Sequence, residues 1–91
     1  MGSCELCDLV AGDVKTRKYY RDKTCLVVDS LSRKVPMVVL NHHGRANDRE
    51  KRLMLAVVNY LFIYDRLDMG MEHIPDHEHW EILGAKFLGA G

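Results

Sequence analysis

His77-Glu78-His79-Trp80-Glu81-Ile82-Leu83 is the stretch on which the reading of this chain turns. On an extended backbone His77, His79, Glu81 and Leu83 fall on one face, and Glu78, Trp80, Ile82 and Gly84 fall on the other. A strand here sets both imidazoles and the Glu81 carboxylate together in a row. Immediately before it, Ile74-Pro75-Asp76 reads as a loop.

Working outward, Met37-Val38-Val39-Leu40 is short and β-branched, and Pro36 precedes it, so the pattern predicts a buried strand rather than a helix. That strand runs into Asn41-His42-His43-Gly44, where glycine permits a tight exit from the sheet. Tyr19-Tyr20-Arg21 and Cys25-Leu26-Val27-Val28-Asp29 flank the polar turn Asp22-Lys23-Thr24 and read as a pair of strands. Between the two histidine-bearing strands the pattern changes to helical. Asn47 with Glu50 three residues on has the form of a capping box, and Asp48 is favourable beside it. Leu53, Val57, Tyr60, Tyr64 and Leu67 recur at helical spacing, and Gly70 is the expected stop, which predicts one helix over 47–69. From Leu53 to Tyr64 only Asn59 is strongly polar, so the apolar stripe is wider than one buried face needs. The sheet accounts for one face; a second copy, giving a homodimer through the helix 47–69, is the expectation for the other. The fold class is α+β, in a single domain over 1–91.

Ninety-one residues make a domain whose core only marginally holds it together, so a structural metal or a dimer contact would be useful. The chain is 47% hydrophobic and 29% charged, the balance of a folded protein rather than a disordered tail. Thirteen basic residues offset thirteen acidic ones, which leaves no global field to draw in nucleic acid or a membrane surface. Arg17-Lys18 and Arg49 to Arg52 are the basic clusters, and Asp48 and Glu50 interrupt the second, so both read as solvated faces. No nucleic-acid and no membrane partner is expected. No window approaches the run of about 18 apolar residues that spans a bilayer, and the first residues lack the pattern of a secretory signal. With three cysteines, an odd number, a disulfide framework is disfavoured and a cytoplasmic compartment is expected.

Cys4-Glu5-Leu6-Cys7 offers two thiolates, and structural zinc takes four thiolate or imidazole ligands. Histidines near strand ends complete such a set, which makes Cys4, Cys7, His43 and His77 the candidate ligands of Zn2+. His42 competes with His43; His43 is favoured because it directly precedes Gly44, where the strand must end and turn. A redox role for the cysteine pair would require a preceding strand and a following helix. Cys25 lies inside an apolar run and reads as core. His73 reads as an exposed loop residue.

This pattern resembles the histidine-triad (HIT) family, from Cys4 to about Leu83. Cys4 to Asp13 is similar to the opening of its zinc-carrying members, Tyr20 to Asp29 to its hairpin, Val38 to His43 to the strand that leads into its second metal segment, and His77-Glu78-His79 to two thirds of its triad. The resemblance implies a HIT-like, zinc-stabilised antiparallel sheet with one long helix, and zinc on Cys4, Cys7, His43 and His77. It implies that His79 occupies the position that attacks the α-phosphate of a nucleotide, and that Asp29 contacts the ribose. A neutral imidazole can attack phosphorus and form a covalent nucleotidyl intermediate, provided its other nitrogen is held by an acceptor. The third triad position is Glu81 instead of histidine, the family's small-residue phosphate loop has no counterpart between Met69 and Asp76, and Val35-Pro36 stands where a histidine is usual. These departures spare the zinc half of the pattern and damage the catalytic half. Two functions follow: a zinc-binding HIT-like domain that binds a nucleotide with weak or lost catalysis, and a nucleotide hydrolase or transferase acting through His79 with Glu81 beside it.

Overall fold

Alternation and β-branching build the sheet around the two histidine-bearing segments. The computed structural model describes residues 5–12, 15–30, 34–69 and 77–89. In chain order its elements are α1 (Glu5–Ala11), β1 (Lys18–Arg21), β2 (Cys25–Asp29), β3 (Pro36–Leu40), α2 (Asp48–Leu61), β4 (Phe62–Ile63), β5 (Arg66–Asp68), β6 (His79–Leu83) and β7 (Lys86–Phe87). The sheet has the order β1-β2-β3-β6-β5, and every neighbouring pair is antiparallel. β4 and β7 form a second, two-stranded ribbon. The architecture is a small α+β fold with an antiparallel sheet.

Residues directly opposite in antiparallel strands share a face. Val27, Val38 and Trp80 line up across β2, β3 and β6, as do Leu26, Val39 and His79. The first set joins Cys25, Leu40 and Ile82 in a cluster with Met54, Val58 and Leu61 of α2. Leu26, Val28, Met37 and Val39 form a second cluster on the opposite face, covered by Leu6 and Leu9 of α1. The predicted alternation holds through β6: Trp80 and Ile82 are buried, while His79, Glu81 and Leu83 are half-buried. The strand is shorter than expected at its start. His77 lies before it and makes an isolated parallel bridge with Gly44.

The hairpin turn is held by one carboxylate. Asp22 Oδ1 accepts from the Thr24 and Cys25 backbone N–H groups at 2.7 and 2.9 Å, and Oδ2 accepts from the Tyr20 hydroxyl at 2.7 Å. Burial acts to raise this carboxyl, but the Cys25, Tyr20 and Thr24 hydrogen bonds outweigh it and hold it below its ordinary value. The Asn41 amide donates to the Asp22 carbonyl, and the Asn41 N–H donates to Thr24 O at 2.9 Å. The hairpin turn therefore steadies the segment that carries His42 and His43.

The capping box forms as read: Asn47 Oδ1 accepts from Glu50 N, and Glu50 Oε1 accepts from Asn47 N. Met54, Val58 and Leu61 are the buried face of α2, at about 1.5–3 kcal/mol each for full burial. The helix does not continue to residue 69. Phe62 caps it in extended conformation, pairs with Phe87, and stacks edge-on with Tyr19. Leu67, expected on the helix, instead pairs with Ile82 in the sheet, and Tyr64 lies between two short strands. Aromatic and β-branched residues at 62 and 63 gain strand partners that a continuing helix would forgo. The expected stop at Gly70 lies outside the described residues. Leu53, Leu55 and Tyr60 of α2 are exposed, Leu53 and Tyr60 on one flank of the helix and Leu55 on the other.

Candidate metal centre

Three segments distant in sequence bring their donors together. α1 is a helix because Leu6 and Leu9 both bury on the sheet, and Gly12 at positive φ follows its end. Docked this way, α1 presents Cys7. The Asn41–Gly44 segment leaves β3 and returns to the start of β6: Glu78 N donates to Gly44 O at 2.8 Å, and Leu40 N donates to Glu78 O at 3.1 Å. Gly44 has φ 127°, a conformation that L side chains rarely adopt. That turn sets His43 beside His77, with ring centroids 5.6 Å apart.

Cys7 Sγ lies 3.4 Å from His43 Nδ1 and 3.5 Å from His77 Nδ1. One donor atom from each of the three residues falls within 4.8 Å of the others, so Cys7, His43 and His77 form a group that could hold a metal ion. His77 is fully buried, and its Nε2 lies 2.6 Å from the Leu40 carbonyl. A carbonyl only accepts, so Nε2 carries the proton and Nδ1 turns its lone pair toward Cys7. Burial holds the His77 imidazole below its ordinary value against the opposing Leu40 hydrogen bond, with His43 and His79 adding to the lowering. Burial thus favours the neutral form of the ring, the form that binds metals. Cys4, the remaining expected ligand, lies outside the described residues, as does His73.

His42 goes elsewhere. Its Nδ1 faces the His43 carbonyl at 3.2 Å and its Nε2 faces Glu50 Oε2 at 2.8 Å. Hydrogen bonding to Glu50, then to the His43 backbone, raises this imidazole above its ordinary value. With acceptors facing both nitrogens it links the His43 turn to the helix cap.

Of the residues expected to act on a nucleotide, His79 and Glu81 share one face of the sheet and Asp29 falls on the other. His79 Nδ1 donates to the His77 carbonyl at 2.8 Å, which leaves the Nε2 lone pair available. Glu81 lies on the same face of β6, opposite Met37 on one side and Asp68 on the other. Asp29 shares the alternation of Cys25 and Val27 and so belongs to the α2 face, whereas His79 belongs to the α1 face. The Asp29 carboxylate accepts from the Tyr19 hydroxyl at 2.7 Å.

Sequence reading overlooked two parts of this region. The buried Glu78 carboxylate accepts from Arg45 Nε at 3.2 Å, Ala46 N at 3.1 Å and Trp80 Nε1 at 2.9 Å. Burial acts to raise its pKa, and hydrogen bonds from Trp80, Ala46 and Arg45 outweigh that and lower it. Alternation had placed Glu78 beside Trp80 without revealing its donors. The helix α1 had a signal in Leu6, Leu9 and Val10 before Gly12, at helical spacing. No protein-family model, curated protein or solved structure matches the chain.

Proposed function

We propose that this chain is a zinc-stabilised, HIT-like binding module, in which one Zn2+ is held by Cys7, His43 and His77 with Cys4 as the fourth ligand. The observation that carries the reading is the pair of distances from Cys7 Sγ to the two Nδ1 atoms, 3.4 and 3.5 Å. A tetrahedral zinc with bonds of about 2.3 Å to sulfur and 2.0–2.1 Å to nitrogen separates those ligands by about 3.5 Å. One thiolate and two neutral imidazoles are also the donor types zinc favours. Bound there, the ion would tie α1 to the end of β3 and the start of β6. The HIT-like part rests on the order of elements: a hairpin, a strand running into His43, a helix, and a strand starting at His79. Elemental analysis of the purified protein should return one zinc per chain. A metal-free protein whose melting curve is unmoved by added zinc or by chelator would end the reading.

The proposed ligand class is a nucleotide, with catalysis weak or lost. The damaged triad supports a non-catalytic role, and so does the position of Asp29 across the sheet from His79. A second reading, nucleotide hydrolysis or transfer through His79, draws support from the His79–His77 carbonyl hydrogen bond, because a held Nδ1 leaves Nε2 as the nucleophile. Under it, His79→Ala abolishes dinucleotide or phosphoramidate hydrolysis while zinc stays at one per chain. No turnover by the unmodified protein across a nucleotide panel would remove this second reading. The proposal includes a homodimer through α2, supported by exposed Leu53 and Tyr60, which lie on one stripe of the helix. A monomer at every concentration in sedimentation equilibrium would remove the dimer.

A further inference from the structure

Between the two histidines of β6 and its approach stands a residue with no ligand role in the centre described above. Glu78 is 2% exposed, yet it carries a carboxylate into the interior. A buried carboxylate is destabilising unless donors meet both oxygens. Here they do. Oε1 takes Arg45 Nε and Ala46 N, from the segment joining Gly44 to α2, and Oε2 takes the Trp80 indole N–H from β6. The Glu78 backbone grips the same turn, donating to Gly44 O and accepting from Leu40 N. One residue thereby clamps both sides of the loop that carries His43 to the strand that follows His77.

We propose that Glu78 is a positioning residue of the metal centre, its two carboxylate oxygens fixing the distance between His43 and His77 so that the two Nδ1 atoms meet Cys7. This rests on the zinc reading above. It requires a carboxylate and not merely a side chain of that size. In Glu78→Gln the volume is kept, but whichever way the amide turns, its NH2 faces a donor, either the Trp80 indole or the Ala46 N–H. The clamp then opens on one side, and His43 loses its register against His77. Groups that hydrogen-bond the ligands directly typically change metal affinity by about 10–100-fold when removed; Glu78 acts one step further out, through the turn, so a loss at the lower end of that range is expected.

The test compares three proteins. Zinc affinity is measured by competition with a chromophoric chelator for the unmodified chain, Glu78→Gln and Val58→Ala. Val58 is a buried α2 residue in the core cluster, so its variant reports the affinity lost through destabilisation alone. Glu78→Gln should bind zinc about tenfold more weakly than Val58→Ala does. Its cobalt-substituted form should show altered ligand-field bands, while those of Val58→Ala overlay the unmodified protein. Affinity and bands indistinguishable from Val58→Ala would overturn the positioning role and leave the zinc reading standing. Absence of stoichiometric zinc in the unmodified protein would overturn the zinc reading itself. If Glu78→Gln does not fold, Arg45→Met removes one donor from an exposed side chain, and a loss of about two- to fivefold is expected. Unchanged affinity in that variant would overturn the inference.

Discussion

Replacing Cys7 by serine separates the metal's contribution from that of packing. Cys7 Sγ contacts both Nδ1 atoms, and a serine hydroxyl keeps a small polar group there while removing the thiolate that zinc prefers. In excess chelator, Cys7→Ser and the unmodified protein should therefore unfold within about 0.5 kcal/mol of each other, the range of a substitution that leaves neither a cavity nor an orphaned donor. With free zinc at one hundred times its dissociation constant, a protein that binds only when folded gains about 2.7 kcal/mol. For a domain of this size that corresponds to about 10–20 °C in melting temperature. The assay is thermal unfolding followed by circular dichroism, each protein with zinc and with chelator. The gain should appear in the unmodified chain and vanish in Cys7→Ser. A zinc-dependent shift of equal size in both proteins, or none in either, would refute the assignment of Cys7.

Two further perturbations test how the centre is held. Gly44→Ala puts a side chain at φ 127°, where steric room exists but the backbone conformation is strained, so it should cost about 1–3 kcal/mol in denaturant unfolding and weaken zinc binding as the His43 turn relaxes. Asp22→Ala frees two backbone N–H groups and the Tyr20 hydroxyl, for a loss of about 2 kcal/mol at neutral pH. Because the Asp22 carboxyl is lowered in the folded state, its stabilisation is present above its unfolded value, near pH 4, and is lost as pH falls through the folded one. The difference in melting temperature between the two proteins should accordingly shrink below about pH 4. A difference that stays constant into strong acid would show that Asp22 does not act through its charge.

Much of the architecture is legible in local pattern. Period-two alternation in His77 to Leu83 assigns Trp80 and Ile82 to the core and His79 and Glu81 to the other face, because a pleated backbone has no alternative. Asn47 and Glu50 mark the start of α2, because a capping box satisfies its donors within four residues. The donor types of Cys7, His43 and His77 are chemical facts of composition.

Tertiary structure decided what depends on partners far along the chain. α2 stops at Leu61 because Phe62 and Ile63 find β7, and helical spacing alone cannot register that competitor. His43 rather than His42 faces the centre because the turn at Gly44 is held by Glu78, while His42 is drawn to Glu50 at the helix cap. Asp29 ends on the α2 face because its pairing with β3 assigns it the alternation of Val27, opposite to that of His79. Local sequence sets which groups each residue offers and how its own segment is patterned. Which groups meet is set by strand register and helix docking, whose free energies come from contacts between segments rather than within them.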